Sequence, residues 1–173
     1  MLAYVFFHRP APGVQPPAYE AALQKFHASL GAARPSGLIG SSTYRVGGGY
    51  ADWYLVESSA ALDALNEAAV SGARSSQHDA VAHMSADGSG KLLTLVTGLA
   101  RSEPGFETRF SKPAGMTYPE LYERLKPWTD RPEVALWRRM MVLGPPPEFC
   151  LTGPSDQILP SAMNPESFPR GLV

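Results

Sequence analysis

The sequence predicts an α+β fold built from two related units. Short strands rich in aromatic and β-branched residues alternate with amphipathic helices, and the same order of elements returns further along the chain. The repetition is visible in the residues, since Phe7-His8-Arg9-Pro10-Ala11 reappears as Phe110-Ser111-Lys112-Pro113-Ala114. A repeat of this length describes architecture and leaves the chemistry open.

The first half of the chain starts with a predicted strand at residues 2–8, which ends before a proline-rich loop. Pro17 suits the first turn of a helix, and apolar residues at helical spacing continue that helix to Gly31. Two further strands are predicted, at 38–46 and 50–57. The run of three glycines between them predicts a tight hairpin turn.

A second helix is expected after Ser58-Ser59, which offers an N-cap, and Gly72 would end it. Residues 73–90 are rich in Ser, Ala, Gly and His, which predicts an irregular stretch, and Ala80, Val81 and Met84 are candidates for a short helix within it. A fourth strand at 92–99 completes the order β-α-β-β-α-β. Residues 1–103 therefore predict a ferredoxin-like unit with helices on one face of an antiparallel sheet.

The second unit, residues 104–152, repeats β-α-β-β. Its elements are a strand at 106–110, a helix at 117–128 and strands at 134–143 and 148–152, joined by a turn at Gly144. Thr117 followed by Glu120 is a capping-box pattern for the helix. The four prolines of residues 153–173 exclude a regular helix. The sequence therefore predicts a truncated second repeat and an extended Pro-rich tail that packs on the body or on a partner.

Charge and cysteine content exclude several function classes. The net charge of -1 argues against a nucleic-acid partner, which requires a surplus of Lys and Arg on one face. The single cysteine, Cys150, cannot form an intrachain disulfide and fits the reducing cytoplasm, where a buried structural thiol is expected. No apolar run reaches membrane-spanning length, so neither a membrane nor a signal peptide is predicted.

Two ferredoxin-like units in tandem resemble the dimeric α+β barrel superfamily. This group includes small monooxygenases of the antibiotic-biosynthesis type, EthD and NIPSNAP proteins, stress-responsive barrel proteins and muconolactone isomerases. The resemblance implies two sheets that pack into a barrel, from two chains or from two fused repeats, and it assigns no site residue. A second repeat without its last strand also leaves a sheet edge that needs cover, which predicts a homodimer.

Histidines are the first candidates for a site. His8 ends the first strand where the repeat has Ser111, so it is a candidate general base or haem ligand, against the alternative of a surface histidine. His78 and His83 are further catalytic candidates in the irregular stretch, but their i,i+5 spacing argues against a shared metal. His27 follows Phe26, which already belongs to the apolar helix face, and is expected to be exposed.

Large side chains on the strands suggest a pocket. Arg45, Trp53, Trp137 and Arg139 would suit an amphipathic lining in which aromatic walls surround a guanidinium that holds an anionic group. The alternative is sheet-to-sheet packing with arginines that extend to solvent. No metal site and no cofactor is predicted.

Two function hypotheses follow. The first is a protein that binds a small hydrophobic or aromatic molecule and acts as a cofactor-independent oxygenase-like or isomerase-like enzyme. The second is a non-catalytic ligand-binding or assembly protein. A strand face that opens onto a cavity with a histidine nearby would favour the enzyme.

Overall fold

The computed structural model describes residues 1–140 and 145–173, and it has the α+β class that the sequence predicts. The chain divides into two compact units, Met1–Lys91 with Leu172–Val173, and Leu92–Gly171. The predicted turn at Gly144 and the end of the strand predicted over 134–143 lie outside the described residues.

The first unit contains an antiparallel sheet covered by helices. Its elements are β1 (Leu2–Pro10), α1 (Pro16–Ala32), β2 (Leu38–Val46), β3 (Gly49–Val56), α2 (Ala61–Val70), α3 (Ser75–Met84) and the first half of β4 (Ser85–Thr97). In the sheet, β3 lies between β1 and β2 and is antiparallel to both, and β4 lies on the other side of β1.

The turn between β2 and β3 is set by two glycines. Gly47 and Gly48 have φ angles of +59° and +76°, and Val46 pairs with Gly49 directly across the turn. Positive φ at both central residues is the geometry of a two-residue hairpin that matches strand twist, and glycine adopts it without strain. The predicted hairpin is therefore confirmed.

The helices pack on one face of the β1–β3 sheet. Helix α1 buries Tyr19, Leu23, Phe26 and Leu30. Residues on this face of the sheet therefore alternate along each strand with residues that point away from the helices. The core on the helix-covered side includes, from the helices and the sheet, Phe26, Leu30, Leu38, Tyr54, Val56, Ala61 and Leu65.

One sequence expectation about the helices is wrong, and another is confirmed with a longer helix than expected. Helix α2 begins with Ala60 as N-cap and no side-chain cap, because Ser58 and Ser59 accept from Ala61 and Leu62 through their backbone carbonyls. The short helix expected around Ala80, Val81 and Met84 is present as α3, which extends back to Ser75 and spans ten residues. Its helix is stabilised by tertiary packing of its few apolar side chains, which local sequence preference does not reveal.

The second unit is built around a second antiparallel sheet. Its elements are the second half of β4, β5 (Gly105–Phe110), α4 (Tyr118–Thr129), β6 (Ala135–Arg139), β7 (Phe149–Gly153) and β8 (Glu166–Leu172). The strand order is β8-β5-β7-β6-β4, so β7 lies between β5 and β6 as β3 lies between β1 and β2. The predicted capping box of α4 is confirmed, since Thr117 and Glu120 exchange both hydrogen bonds.

The tail corrects the prediction of a truncated repeat. Residues 166–172 form β8, which pairs antiparallel with β5, and Pro169 lies opposite Phe106 in that register. A proline lacks the N–H of a helix interior but has the φ angle of an extended chain, so prolines exclude a helix without excluding a strand. Of the apolar tail residues, Leu159 is buried in the core of the unit, whereas Ile158 is 83% exposed.

None of the described helices is both long and apolar enough to cross a membrane.

Two glycine substitutions test the backbone of each unit. A Cβ on Gly98 would lie 2.2 Å from the carbonyl oxygen of Val134, and the φ of Gly98 is +87°, whereas a Cβ on Gly31 in α1 meets open space. We expect Gly98→Ala to lower the free energy of unfolding by about 3 kcal/mol and Gly31→Ala to raise it by about 0.5 kcal/mol. Urea unfolding of both variants measures this, and equal effects would contradict the structure.

Candidate functional site

A single acidic side chain lies inside the first unit. Asp52 stands in the middle of β3, in the otherwise apolar run Tyr50-Ala51-Asp52-Trp53-Tyr54, and is 3% exposed. It shares a face with Tyr54, which belongs to the core on the helix-covered side of the sheet. The carboxylate is therefore enclosed between sheet and helices, where an unpaired charge would be costly.

Four side chains from four different segments surround this carboxylate. Thr43 Oγ1 donates to Asp52 Oδ1 at 2.5 Å, and the Tyr54 hydroxyl donates to Oδ2 at 3.3 Å. His8 Nε2 lies 3.3 Å from Oδ2, and His27 Nε2 lies 3.2 Å from Oδ1. Neither imidazole N–H is aligned for a hydrogen bond, so these two contacts are electrostatic. Each carboxylate oxygen thus has one hydroxyl and one imidazole partner.

The environment keeps Asp52 ionised. Burial alone would raise the pKa of this carboxyl, but the contacts from His27 and His8 outweigh it and hold the pKa well below its ordinary value. The pKa of Tyr54 is raised, mainly because the hydroxyl is buried and also because the negative charge of Asp52 is close. Asp52 is therefore a stable anion, a weak base and a strong orienting partner for the two imidazoles.

A second chain of contacts leads from His8 to α3. The Tyr19 hydroxyl lies 2.5 Å from His8 Nδ1 and 2.7 Å from Ser85 Oγ, and Ser85 in turn donates to the carbonyl oxygen of Val81 at 2.7 Å. Burial raises the pKa of the Tyr19 phenol, so this group holds its proton. The polar residues form one connected network: Ser85, Tyr19, His8, Asp52, Thr43, Tyr54 and His27.

An apolar cavity of about 470 Å³ opens above one end of this network. Its walls come from the helix-facing side of β1 and β3 and from all three helices. Asp52 and Ser85 contribute its polar floor, whereas His8 and Tyr19 lie behind them. The lining residues are Tyr4, Phe6, Phe26, Asp52, Tyr54, Leu62, Leu65, Asn66, Ala69, Val70, His78, Val81, Ala82 and Ser85.

The sequence singled out His8 but missed its partners. His8 is 3% exposed and belongs to the network, so the surface alternative is wrong. The expectation that His27 is exposed is also wrong, because its side chain is only 10% exposed. The helical spacing carried the signal: His27 follows Leu23 by four residues and precedes Leu30 by three, which places it on the buried face. Asp52 could have been found as the one charge inside an apolar strand.

The other two candidate histidines lie on α3 and are not brought together. His78 lines the cavity, where it is 37% exposed and its Nδ1 lies 3.3 Å from its neighbour Asp79. His83 is exposed in the last turn, and its Nδ1–H donates to the backbone oxygen of Asp79 at 2.6 Å. A catalytic role for either residue remains a prediction.

The four residues proposed to line a pocket occupy different environments. Arg45 is 55% exposed on the helix side of β2, where it forms an ion pair with Glu20 at 2.5 Å. Trp53 is buried on the opposite face of β3 from Asp52. Arg45 and Trp53, the two predicted pocket residues of the first unit, therefore lie on different faces of the sheet. In the second unit, buried Trp137 donates to Thr152 at 3.2 Å, and Arg139 donates to the carbonyl of Pro145. Their ligand-binding role remains a prediction.

The chemistry of the side chains limits which groups the site could hold. Within residues 1–140 and 145–173, no three or more His, Cys, Asp or Glu side chains are placed to hold a metal ion. His8 fits poorly as a haem ligand, because Nδ1 faces Tyr19 and Nε2 faces Asp52. Cys150 is buried in β7, as predicted for a structural thiol.

Comparison with known proteins gives the fold and no function. No protein-family model matches the chain, and no curated protein matches its sequence. Among solved structures, a chlorite dismutase-like protein aligns with a TM-score of 0.55 at 13% identity, over 87% of this chain and 76% of the other. The chain therefore shares the α+β fold of that structure.

A monooxygenase-like protein from Lactobacillus acidophilus is also similar, with a TM-score of 0.49 at 9% identity, over 98% of this chain and 76% of the other. At 13% identity the chlorite dismutase-like structure shows the fold alone, and neither residue roles nor substrates follow from it. The predicted α+β fold class is confirmed, and no family is shown.

The buried carboxylate of Asp52 predicts a pH-dependent stability. The pKa of Asp52 is lower in the folded chain than in the unfolded chain. Its charge therefore adds stability above the unfolded carboxyl pKa, and this stability is lost as the pH falls toward the folded value. We expect Asp52→Asn to lower the free energy of unfolding by about 2 kcal/mol at neutral pH. The difference should shrink below about pH 4.

Urea unfolding across this pH range, followed by tryptophan fluorescence, measures the difference. The control is Asp63→Asn, which changes an exposed carboxylate in the first turn of α2 and should stay within about 0.5 kcal/mol of the parent protein at every pH. A difference for Asp52→Asn that does not vary with pH would contradict the assignment of a buried, ionised carboxylate.

Proposed function

We propose that the cavity of the first unit binds a small, largely apolar and uncharged molecule, and that its polar floor exchanges a proton with that molecule. The observation that supports this proposal is the juxtaposition of a cavity of about 470 Å³ with a buried carboxylate and two imidazoles. Apolar cavities with a few convergent polar groups and perturbed titratable residues are typical of ligand sites.

The lining argues for an uncharged ligand. The described residues that line the cavity include no Lys or Arg, and the carboxylate of Asp52 lies at its floor. An anionic ligand would lose its hydration and gain no counter-charge, which is unfavourable in an apolar environment. The anion-binding guanidinium considered from the sequence has no counterpart here, because Arg45 pairs with Glu20 away from this cavity.

The chemistry supported by these groups is acid–base catalysis without a cofactor. A histidine oriented by a carboxylate is a recurrent proton acceptor, since the carboxylate stabilises the imidazolium that forms. Such a site suits an isomerase, or the deprotonation of a substrate before it reacts with oxygen in an oxygenase. Binding and positioning in the cavity would supply the rest of the catalysis.

One observation favours a non-catalytic ligand-binding protein. Both oxygens of Asp52 already have two partners within 3.3 Å, so the network is complete without a ligand. In that case the polar residues serve folding, and the cavity only holds its ligand. A bound molecule that loses its proton in the cavity would indicate an enzyme, whereas a bound molecule that stays neutral would indicate a carrier.

We further propose that the two units are diverged copies of one ferredoxin-like unit and that the protein forms a homodimer. The sequence repeat and the shared pairing, with the third strand between the first two in each unit, support the duplication. The uncovered sheet edge from which the sequence predicted a dimer is absent, because β8 pairs with β5. Sedimentation equilibrium tests the dimer.

Ligand binding is tested with matched aromatic probes. We expect the protein to bind 4-nitroanisole, which is uncharged, at least about tenfold more tightly than 4-nitrobenzoate, which is an anion. Ala69 lines the cavity, so Ala69→Phe should abolish binding by filling it. Ala21→Phe makes the same change at an exposed position of α1 and should leave the affinity unchanged. Equilibrium dialysis measures all four affinities, and tighter binding of the benzoate would refute the proposed ligand class.

A further inference from the structure

We propose that His8 exchanges a proton with a hydroxyl group of the bound ligand through Ser85 and Tyr19. This proposal rests on the proposed ligand-binding role of the cavity and deepens it, because it names the ligand as a molecule with an acidic hydroxyl, such as a phenol or an enol. It also makes Tyr19 a positioning residue that connects the cavity to the buried base.

His8, the histidine paired with the buried carboxylate, is out of direct reach of a ligand, whereas His78 lines the cavity without contacting Asp52. His8 and Tyr19 do not line the cavity, whereas Ser85 and Asp52 do. Asp52 is a poor acceptor, because two hydroxyl donors and two imidazoles already occupy its oxygens. Ser85 is therefore the group through which a ligand hydroxyl can communicate with the imidazole.

The path from the cavity to the base is continuous. Ser85 Oγ lies 2.7 Å from the Tyr19 hydroxyl, which lies 2.5 Å from His8 Nδ1, and His8 Nε2 lies 3.3 Å from Asp52 Oδ2. The first two distances are those of good hydrogen bonds. Hydroxyl groups both donate and accept, so Ser85 and Tyr19 can each receive one proton and pass on another.

The direction of these hydrogen bonds depends on the charge of His8. In the neutral tautomer whose proton lies on Nε2, beside Asp52, Nδ1 of His8 accepts from Tyr19, and Ser85 can donate to Tyr19 in place of the Val81 carbonyl. When His8 is protonated, Nδ1 donates to Tyr19, Tyr19 donates to Ser85, and Ser85 donates to the carbonyl of Val81. The structure thus accommodates both charge states of the imidazole without moving a heavy atom.

The proton transfer balances without a further reactant. The ligand O–H bond breaks and its proton joins Ser85 Oγ, the Ser85 proton moves to Tyr19, and the Tyr19 proton forms the Nδ1–H bond of His8. The products are a ligand oxyanion in the cavity and an imidazolium paired with Asp52. No oxidant or reductant is consumed, and the reverse sequence returns the proton to the ligand.

The second unit shows that this fold does not require the relay. At the positions of the sequence repeat, Leu121 stands where Tyr19 does and Ser111 stands for His8. In the strand pairing Phe110 lies opposite Phe149 as Phe7 lies opposite Ala51, so Cys150 takes the place of Asp52. Leu121 is fully buried in the first half of α4, as Tyr19 is in α1, so an apolar side chain can serve the packing role. A buried tyrosine hydroxyl between a histidine and a cavity serine therefore points to proton transfer.

The test measures ionisation of a bound phenol. The probe is 4-nitrophenol, whose phenolate absorbs visible light, in excess protein at a pH where the free probe is mostly protonated. We expect the ratio of bound phenolate to phenol to be about tenfold higher in the parent protein than in Tyr19→Phe or Ser85→Ala, which interrupt the path at different points. The control is Tyr50→Phe, which removes a neighbouring hydroxyl that donates to Glu20 and should leave the ratio within about twofold.

Each outcome decides between the two proposals. Probe that is bound and ionised equally in every variant, or bound and neutral in every one, overturns the relay while the binding role of the cavity stands. If 4-nitroanisole binds but 4-nitrophenol does not, the hydroxyl ligand class is wrong. If neither probe binds, the proposed function itself fails. Circular dichroism confirms folding, and Ser85→Ala keeps the relay testable where Tyr19→Phe unfolds.

Discussion

The arrangement of the first unit depends on one electrostatic constraint, the burial of Asp52 inside an aromatic sheet. A carboxylate taken out of water is stable only when its oxygens are contacted by donors or positive charge. The contacts come from β1, α1, β2 and β3, so the same charge connects three of the elements that line the cavity, β1, β3 and α1, with the neighbouring strand β2. His8 and His27 thus have two roles at their positions: they are partners of the buried carboxylate in the folded chain, and they are the imidazoles of the candidate site.

The duplicated architecture separates what the fold needs from what the site adds. The order strand-helix-strand-strand occurs in both units, as β1-α1-β2-β3 and as β5-α4-β6-β7, and each time the last of these strands lies between the other two. In the second unit Glu148 accepts from Tyr118 at 3.1 Å, and no described contact links it to a histidine. The same scaffold therefore supports a polar network beneath the helices in one unit and an apolar core in the other, where the buried acid Glu107 is paired with Arg109.

Local signals in the sequence predicted local structure well. The capping box at Thr117 and the glycines at 47 and 48 specify backbone geometry through their own chemistry, so they could be recognised without tertiary information. Strand β8 could not, because its pairing with β5 is a long-range contact and its prolines argue against regular structure. The candidate site was only partly predictable: His8 stood out in the repeat, but Asp52 and His27 become partners only when strand and helix pack together.

The location of the cavity explains why the chemistry lies on the helix-covered face of the sheet. Alternation along β3 places Asp52 and Tyr54 toward the helices and Trp53 away from them, so a charge introduced at position 52 can only be satisfied from β1, β2 and α1. Satisfying it requires polar side chains in a layer that otherwise excludes water. Where that layer opens, at Ser85, the same polar chain reaches the cavity. The polar network that stabilises the buried charge is therefore also a route by which a bound molecule can gain or lose a proton.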